Sequence, residues 1–181
     1  MNVTATILPG VLIIEPRVFE DTRGFFKETF QLARYRECGI DAPFLQDNFS
    51  RSKKGVLRGL HLQKSRPQGK LVSCPRGVIF DAVVDINPIS PTFGKYLGIE
   101  ISEYNHLQVW IPPGYAHGFC VISDEADLQY KCTDIYSPED ESGLIWDDPE
   151  VAIDWPLEAP ELSPKDLLLP TLAQIRQIGH A

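Results

Sequence analysis

Two histidines occur in strand-like runs where apolar side chains are the rule. His61 lies in "GVLRGLHLQ" (55–63), and His117 follows the Pro-Pro-Gly turn of "WIPPGYAHGF" (110–119). An imidazole changes charge near neutral pH, so it suits general acid–base chemistry. A lone buried histidine is more often a hydrogen-bonded core residue, so the neighbouring residues must decide between the two interpretations.

Two cations lie close to His61 in the sequence. Arg58 shares its run, and Lys70 opens the next one in "PQGKLV". A guanidinium keeps its charge, and burying it without an anionic partner costs on the order of several kcal/mol. An internal aspartate or a ligand phosphate could provide that partner. For Lys70 a solvent-exposed ammonium at a strand end is the alternative.

The spacing of Arg58 and His61 needs a local irregularity if both are to face one cavity. Residues three apart point to opposite faces of a regular strand. Gly59 lies between them and is the natural position for a β-bulge. We therefore predict a bulge that turns both side chains inward.

The run "LQYKCTDIY" (128–136) contains two tyrosines. Strand alternation predicts Tyr130 and Tyr136 on one face, together with Leu128, Cys132 and Asp134. The alternatives are core packing, or one phenol acting as a proton donor and the other as a stacking surface.

The sequence argues against a metal site at His61. A histidine-based barrel site would need a second histidine two positions on and an acid soon after. Gln63 occupies the first position, and the following "KSRPQ" (64–68) contains no acid. We predict no metal.

The elements that must position these residues are mostly strands. Eight short runs rich in β-branched and aromatic residues are separated by Pro, Gly, Asn and Asp, which predicts a β-sandwich or barrel. In "FDAVVDI" (80–86) one predicted face is apolar and the other carries Asp81 and Asp85. Helix signals are few: one helix capped by Thr29 and ending at Gly39, and a short one opened by Ser163 and Asp166.

Composition limits the classes of function. The 181 residues suffice for one domain with its own core, and the net charge is −8 with no basic run longer than Lys53–Lys54. Nucleic-acid and anionic-membrane binding are therefore not expected. The first 18 residues lack the features of a signal peptide or membrane span, so we expect a cytoplasmic protein.

Eight segments, taken together and in order, resemble one family. They are "EPRVFEDTRGFFKETF", "QDNFSRSKKGVLRGLHLQ", "PQGKLV", "FDAVVDI", "SPTFGKYLG", "WIPPGYAHGF", "YKCTDIY" and "LSPKD". The sequence resembles the dTDP-4-dehydrorhamnose 3,5-epimerases, sugar-nucleotide isomerases of the jelly-roll (cupin) class. The resemblance covers nearly the whole chain and implies one all-β domain over 1–181, with a few short helices.

The resemblance also implies roles for individual residues. His61 resembles the family's catalytic base, Asp166 its carboxylate partner, Tyr130 the proton-donating tyrosine, and Lys70 the lysine beside the developing enolate oxygen. Arg58 resembles the arginine that contacts the diphosphate, and Tyr136 the aromatic beside the base or sugar. His117 and Asp81 match pocket positions without a clear role. The residues that match nucleotide-holding positions, partly across a dimer interface, are Arg23, Phe26, Glu28, Gln46 and Asn48.

The implied activity is epimerisation of a dTDP-linked 4-keto-6-deoxyhexose at C3 and C5, without a cofactor. The resemblance implies a homodimer in which the N-terminal arm (about 1–50) contributes to the nucleotide site; exposed edge strands give a physical motive for pairing. Three alternatives stay open: a relative that inverts only one centre, a ketoisomerase that moves the carbonyl, and a non-catalytic sugar-nucleotide-binding barrel.

Overall fold

The computed structural model describes residues 1–178 and is built almost wholly from strands. The strands are β1 Asn2–Ala5, β2 Leu12–Glu15, β3 Val18–Asp21, β4 Gly24–Lys27, β5 Gln46–Lys53, β6 Leu57–Gln63, β7 Lys70–Arg76, β8 Val78–Asp85, β9 Tyr96–Ser102, β10 Gln108–Ile111, β11 Tyr115–Val121, β12 Glu125–Cys132 and β13 Glu141–Gly143. The helices are α1 Leu32–Glu37 and α2 Leu172–Ile178, with 3₁₀ turns at Pro138–Asp140 and Asp166–Leu168.

Two antiparallel sheets form the body of the protein. The six-stranded sheet has the order β1-β2-β10-β7-β12-β5, and the five-stranded sheet has the order β13-β6-β11-β8-β9. Strands β3 and β4 form a separate hairpin. The predicted all-β jelly-roll sandwich with a few short helices is confirmed.

Apolar side chains from both sheets meet in the central core. Val72 and Leu128 come from the six-stranded sheet, and Val83 and Phe119 from the five-stranded sheet. The interleaving of β-branched and aromatic side chains excludes water from this part of the sandwich. It forms the rigid base on which the polar residues of the site are held.

Irregular segments cover the outer faces of both sheets. Tyr35 of α1 packs with Trp110 on the six-stranded sheet. Leu144 and Val151, from the chain that follows β13, pack on the five-stranded sheet against Ala82 and Val84. This packing accounts for the alternation predicted for "FDAVVDI". Ala82 and Val84 face outwards and pack against Leu144 and Val151, whereas Val83 faces the central core.

The bulge predicted at Gly59 is present. His61 pairs with His117 and Arg58 with Phe119, so two residues of β6 stand opposite Gly118 alone. Gly59 has φ +132°, which suits glycine, and a Cβ on it would lie 2.5 Å from the Gly118 Cα. The two glycines let the strands approach closely while the register shifts.

The sequence-based element boundaries need two corrections. Helix α1 begins at Leu32 rather than after Thr29, because the Gln31 side chain accepts a 2.8 Å hydrogen bond from the Arg34 N–H and takes the cap position. The short strands β1, β4 and β13 lie outside the eight predicted runs, since three or four residues give too little alternation to detect. No helix within the described residues has the length and apolar character that a membrane crossing needs.

Gly118→Ala tests the close approach at the bulge. The added Cβ would lie 2.7 Å from the Arg58 carbonyl oxygen and 3.0 Å from the Gly59 Cα, both backbone atoms that cannot rotate away. We expect the free energy of unfolding to fall by about 1–3 kcal/mol, the range for overpacking. Urea unfolding measures this change, and a loss below about 0.5 kcal/mol would contradict the close packing of Gly118 against β6.

Candidate active site

A polar cavity of about 540 Å³ opens between the two sheets. Strands β5, β7 and β12 line it from one sheet and β6 and β11 from the other, and residues 161–166 close one side. Nine of the residues singled out in the sequence share this cavity: Gln46, Asn48, Arg58, His61, Lys70, His117, Tyr130, Tyr136 and Asp166.

His61 is held by a buried carboxylate. Its Nε2 lies 2.7 Å from Oδ1 of Asp166, whose side chain is 3% exposed. The backbone N–H of Asp166 donates to the Ser163 hydroxyl at 3.3 Å, which fixes the first residue of the 3₁₀ turn. Burial alone would raise the pKa of Asp166, but the hydrogen bond and charge of His61 outweigh it and hold that pKa below its usual range. An ionised Asp166 only accepts hydrogen bonds, so Nε2 carries the hydrogen and Nδ1 is the basic nitrogen.

Tyr130 reaches the cavity from the opposite sheet. It lies on β12, whereas His61 lies on β6. Burial raises the pKa of the Tyr130 phenol, and the nearby Arg58 guanidinium opposes part of that rise. The phenol is therefore protonated at neutral pH and can give a proton to a group lying between the sheets.

Lys70 is a buried cation at the start of β7. Its side-chain nitrogen donates a 3.3 Å hydrogen bond to the carbonyl oxygen of His61, and the residue is only 8% exposed. Burial lowers the pKa of Lys70, while Cys132, Asp81 and Glu141 act against that lowering. Of the two interpretations of Lys70, the solvated strand-end lysine is therefore wrong.

A second imidazole–carboxylate pair lies beneath the cavity. His117 Nε2 is 2.7 Å from Oδ2 of Asp81, which is fully buried and stands behind His117 rather than on the cavity wall. Burial lowers the pKa of His117, although Asp81 opposes this, and Lys70 and His61 lower it further. A neutral His117 therefore faces the cavity beside the cation of Lys70.

Arg58 presents a charge to the cavity without a carboxylate partner among residues 1–178. Its Nε donates to the Ser52 hydroxyl at 3.0 Å, and the residue is exposed. The sequence left two candidate partners for Arg58, an internal aspartate and a ligand phosphate. Among residues 1–178 no aspartate pairs with Arg58. A ligand phosphate is the remaining candidate, and the planar guanidinium suits it.

An amide pair and an aromatic ring form another part of the wall. The Gln46 side-chain nitrogen donates to Oδ1 of Asn48 at 2.8 Å, and its oxygen accepts from the Tyr136 N–H at 2.8 Å. Strand β12 ends at Cys132. The prediction that one strand continues to Tyr136, with Tyr130 and Tyr136 on the same face, is therefore wrong. Asp134 instead pairs with Arg66 at the surface, and the loop after β12 brings Tyr136 back to the cavity.

Three predicted nucleotide-holding residues lie away from the cavity within one chain. They belong to the β3–β4 hairpin or follow it, and Phe26 is 68% exposed. Arg23 pairs with Asp21 at 2.5 Å, and Glu28 pairs with Arg34 at 2.7 Å. A single chain therefore does not bring Arg23, Phe26 and Glu28 to the site.

Two charged residues at the site were not found from the sequence. Glu141 Oε1 lies 4.0 Å from Nε2 of His61, and the Glu141 carboxylate accepts hydrogen bonds from Lys165 at 2.8 Å and from the Tyr136 hydroxyl at 2.9 Å. Lys165 precedes Asp166 in "LSPKD", a signal that could have been followed. Glu141 lies in an ordinary polar turn that gives no signal. Within residues 1–178 no three His, Cys, Asp or Glu side chains cluster as metal ligands.

Comparison with known proteins gives consistent matches. The family profile described as "dTDP-4-dehydrorhamnose 3,5-epimerase" matches residues 5–174. A Neisseria gonorrhoeae protein of that name is 53% identical over 175 residues, 96% of this chain, and this chain spans 53% of that longer protein. The crystal structure of a Legionella pneumophila dTDP-6-deoxy-D-glucose-3,5-epimerase, in complex with dTDP-4-keto-L-rhamnose, superposes with a TM-score of 0.92 at 52% identity and covers 96% of both chains.

A more distant relative has a narrower name. A "dTDP-4-dehydrorhamnose 3-epimerase" from Streptomyces niveus is 41% identical over 174 residues, 95% of this chain and 84% of that protein.

Lys70→Met tests whether the buried cation destabilises the fold. At pH 7 we expect a gain of about 1–2 kcal/mol in the free energy of unfolding, because a buried ion is replaced by an apolar side chain of similar length. The folded-state pKa of Lys70 lies below the unfolded value of 10.5. At a pH between these two values, the Lys70 amine is protonated in the unfolded chain and neutral in the folded protein. Wild-type stability therefore rises with pH across that window, and the advantage of Lys70→Met shrinks towards pH 10.

Urea unfolding at pH 7 and pH 10 measures this difference. The exposed Lys54 gives a matched control, since Lys54→Met should change stability by less than about 0.5 kcal/mol. A Lys70→Met protein that is less stable than wild type at pH 7 would show that the ammonium contributes more than its burial costs.

Proposed function

Because the chain belongs to the dTDP-4-dehydrorhamnose 3,5-epimerase family, we propose that it converts dTDP-4-dehydro-6-deoxy-D-glucose to dTDP-4-dehydro-L-rhamnose. This is the inversion of C3 and C5 of a nucleotide-linked 4-keto sugar, a step of dTDP-L-rhamnose-type deoxysugar biosynthesis. The observation that carries the proposal is that His61 and Tyr130 line one cavity from opposite sheets.

The chemistry of the substrate defines what the site must do. The hydrogens on C3 and C5 flank the C4 carbonyl, so removing either one leaves an enolate with its charge on the C4 oxygen. Inversion then requires a base on one face of the carbon and an acid on the other. The ketone is itself the electron sink, and the proposed reaction needs no added cofactor.

His61 is the proposed base. Asp166 holds its Nε2 at 2.7 Å, so the ring orientation and tautomer are fixed and Nδ1 takes the carbon-bound proton. The imidazolium that forms is stabilised by the same carboxylate, as in other imidazole–carboxylate pairs.

Lys70 and Tyr130 complete the proton transfer. The Lys70 ammonium, held by the His61 carbonyl, stabilises the enolate oxygen; a preorganised donor of this kind is worth about 2.7–4 kcal/mol. Tyr130 then returns a proton from the opposite face. His117, backed by Asp81, adds a neutral polar group beside Lys70.

The nucleotide is bound at the other end of the cavity. The Arg58 guanidinium, which has no carboxylate partner within residues 1–178, takes the diphosphate, and the amides of Gln46 and Asn48 take the nucleoside. The ring of Tyr136 lies beside the base or sugar. A dTDP-linked 4-keto-6-deoxyhexose is thus the proposed partner; the cytoplasmic location predicted from the sequence stays a prediction.

We further propose a homodimer in which the N-terminal arm completes the partner's site. Arg23, Phe26 and Glu28 lie away from their own cavity, on or beside a hairpin whose aromatic rings are exposed. Two copies related by a two-fold axis would exchange these hairpins symmetrically. The proposed domain spans 1–181, of which 179–181 lie outside the described residues, and about 1–50 are shared between copies.

Inversion of a single centre is the second candidate. The relative named as a 3-epimerase is 41% identical, and the same acid–base pair serves either one centre or two. A ketoisomerase would yield a 3-keto product. A non-catalytic binding protein would have no use for a facing base and acid, so the geometry of His61 and Tyr130 argues against it.

Reaction in deuterated water distinguishes these candidates. For the proposed function we expect deuterium at both C3 and C5 of the product, since each inverted carbon receives its hydrogen from exchangeable protein groups. Proton NMR of the product mixture gives the result. Deuterium at one carbon supports the single-centre epimerase, and a product with its carbonyl at C3 supports the ketoisomerase.

The same experiment on His61→Asn identifies the base. We expect exchange at both carbons to fall by at least about 100-fold, the lower range for loss of general base catalysis. Full exchange in His61→Asn would assign the base elsewhere, and no exchange with wild-type protein would favour the binding protein.

A mixed dimer tests the shared N-terminal arm. One subunit carries His61→Asn and the other carries Arg23→Ala with Phe26→Ala, and both homodimers should be strongly impaired. If the hairpins are exchanged, the mixed dimer has one intact site and should show about half of wild-type activity. Activity no higher than the mean of the two homodimers would contradict the exchange, and a monomeric wild type in sedimentation would contradict the dimer.

A further inference from the structure

The guanidinium of Arg58 is held on one side by a serine that does not itself line the cavity. Nε of Arg58 donates a 3.0 Å hydrogen bond to Oγ of Ser52, and Ser52 is only 5% exposed. We propose that Ser52 is a positioning residue, whose hydroxyl orients the Arg58 guanidinium so that its two terminal nitrogens bind the diphosphate end-on. The inference rests on the proposed function, in which Arg58 binds that diphosphate.

Strand β5 places Ser52 in line with the polar residues of the cavity wall. The side chains of Gln46, Asn48, Ser50 and Ser52 lie on the more buried face of the strand, and those between them are exposed. The first three line the cavity, whereas Ser52 is buried beyond its edge. Ser52 would therefore act on a bound ligand through Arg58 and not by direct contact.

The hydrogen bond joins the two sheets where the chain passes from one to the other. Ser52 is near the end of β5, in the six-stranded sheet, and Arg58 is near the start of β6, in the five-stranded sheet. Arg58 stands opposite Phe119, directly before the bulge at Gly59. The register shift that turns His61 into the cavity thus also brings Arg58 within reach of the serine.

The bond to Ser52 restricts how Arg58 can meet an anion. A guanidinium has five N–H donors in a fixed fork, and an anion can bind along its Nε side or at the end formed by the two Nη atoms. Ser52 occupies the Nε donor, and neither Nη atom makes a hydrogen bond within residues 1–178. The end of the fork is therefore the part that is free for a phosphate group.

A fixed orientation has an energetic consequence for binding. Arg58 is an exposed residue with a long side chain, and a ligand that immobilises such a side chain loses affinity to its conformational entropy. The hydroxyl of Ser52 restrains the guanidinium before the ligand arrives, so less entropy is lost on binding. A serine that only satisfied its own hydroxyl would affect the stability of the fold without acting through Arg58.

The experiment measures the affinity of the protein for dTDP by calorimetry. We expect the dissociation constant to rise by about 3–10-fold in Ser52→Ala, which is the cost of immobilising one long side chain converted to affinity. The value of kcat/KM for the dTDP-linked 4-keto sugar should fall by a similar factor. Ser52→Cys should weaken dTDP binding comparably, because a thiol fills the same space but is a weak acceptor.

A double-variant cycle separates positioning from a general structural effect. Arg58→Met removes the guanidinium through which Ser52 is proposed to act. Adding Ser52→Ala to Arg58→Met should therefore change the dissociation constant of dTDP by less than about 1.5-fold. If Ser52 only supported the shape of the cavity, its loss would weaken binding by the same factor in both backgrounds.

Ser73→Ala is the matched control. Ser73 also lies in a strand of the six-stranded sheet, its hydroxyl donates to the Gln129 carbonyl oxygen at 3.2 Å, and it does not line the cavity. The same substitution at this position should leave the dissociation constant of dTDP within about 2-fold of wild type.

Binding equal to or tighter than wild type in the Ser52 variants would overturn the inference, as would an equal loss with and without Arg58. Ser52→Cys decides the question if Ser52→Ala does not fold. Calorimetry with dTDP requires no turnover. A wild type that epimerises the sugar, with Ser52 variants that bind dTDP normally, contradicts this inference alone; a wild type that shows the Ser52 effect on dTDP without exchange at C3 or C5 contradicts the proposed function alone.

Discussion

The hydrogen bond between the His61 imidazole and the Asp166 carboxylate joins two parts of the chain that are 105 residues apart in sequence. It requires the bulge in β6, because without the extra residue at Gly59 the side chains of Arg58 and His61 would point to opposite faces. It also requires residues 161–166 to lie along the mouth of the cavity. That segment is tied to the chain just before β6 by a bridge between Val56 and Glu161 and by the Leu57 N–H, which donates to the Glu161 carbonyl oxygen at 3.0 Å.

The residues that stabilise the sandwich are largely separate from the polar residues that line the cavity. The central core and the two covered outer faces are apolar, whereas the cavity holds a buried ammonium, a buried imidazole and a partly buried phenol. Burial lowers the pKa of Lys70 and of His117, which means that the fold opposes their charged forms. A large apolar framework offsets the cost of desolvating such groups, and groups of this kind are concentrated at functional sites.

Much of this organisation could be predicted from local sequence. Alternation located β8 and its acidic face, Gly59 marked the bulge, and the resemblance to the epimerase family pointed to Asp166. The features that could not be predicted are those in which a loop or a very short strand folds back onto the cavity. The loop after Cys132 brings Tyr136 to the cavity although the strand has ended, and β13 brings Glu141 to His61 through only three paired residues. The structure of one chain likewise leaves Arg23 and Phe26 away from its own cavity, which no pattern in the sequence reveals.

The order of the segments along the chain has a consequence for biosynthesis. All strands of both sheets precede residue 144, while Asp166 and Lys165 come after a further stretch that covers the five-stranded sheet. A nascent polypeptide still lacking that stretch can pair its strands, but its His61 imidazole lacks the Asp166 carboxylate and its outer sheet face is bare. On the ribosome, the cover of that face and the Asp166 carboxylate therefore emerge only after every strand of both sheets has been made.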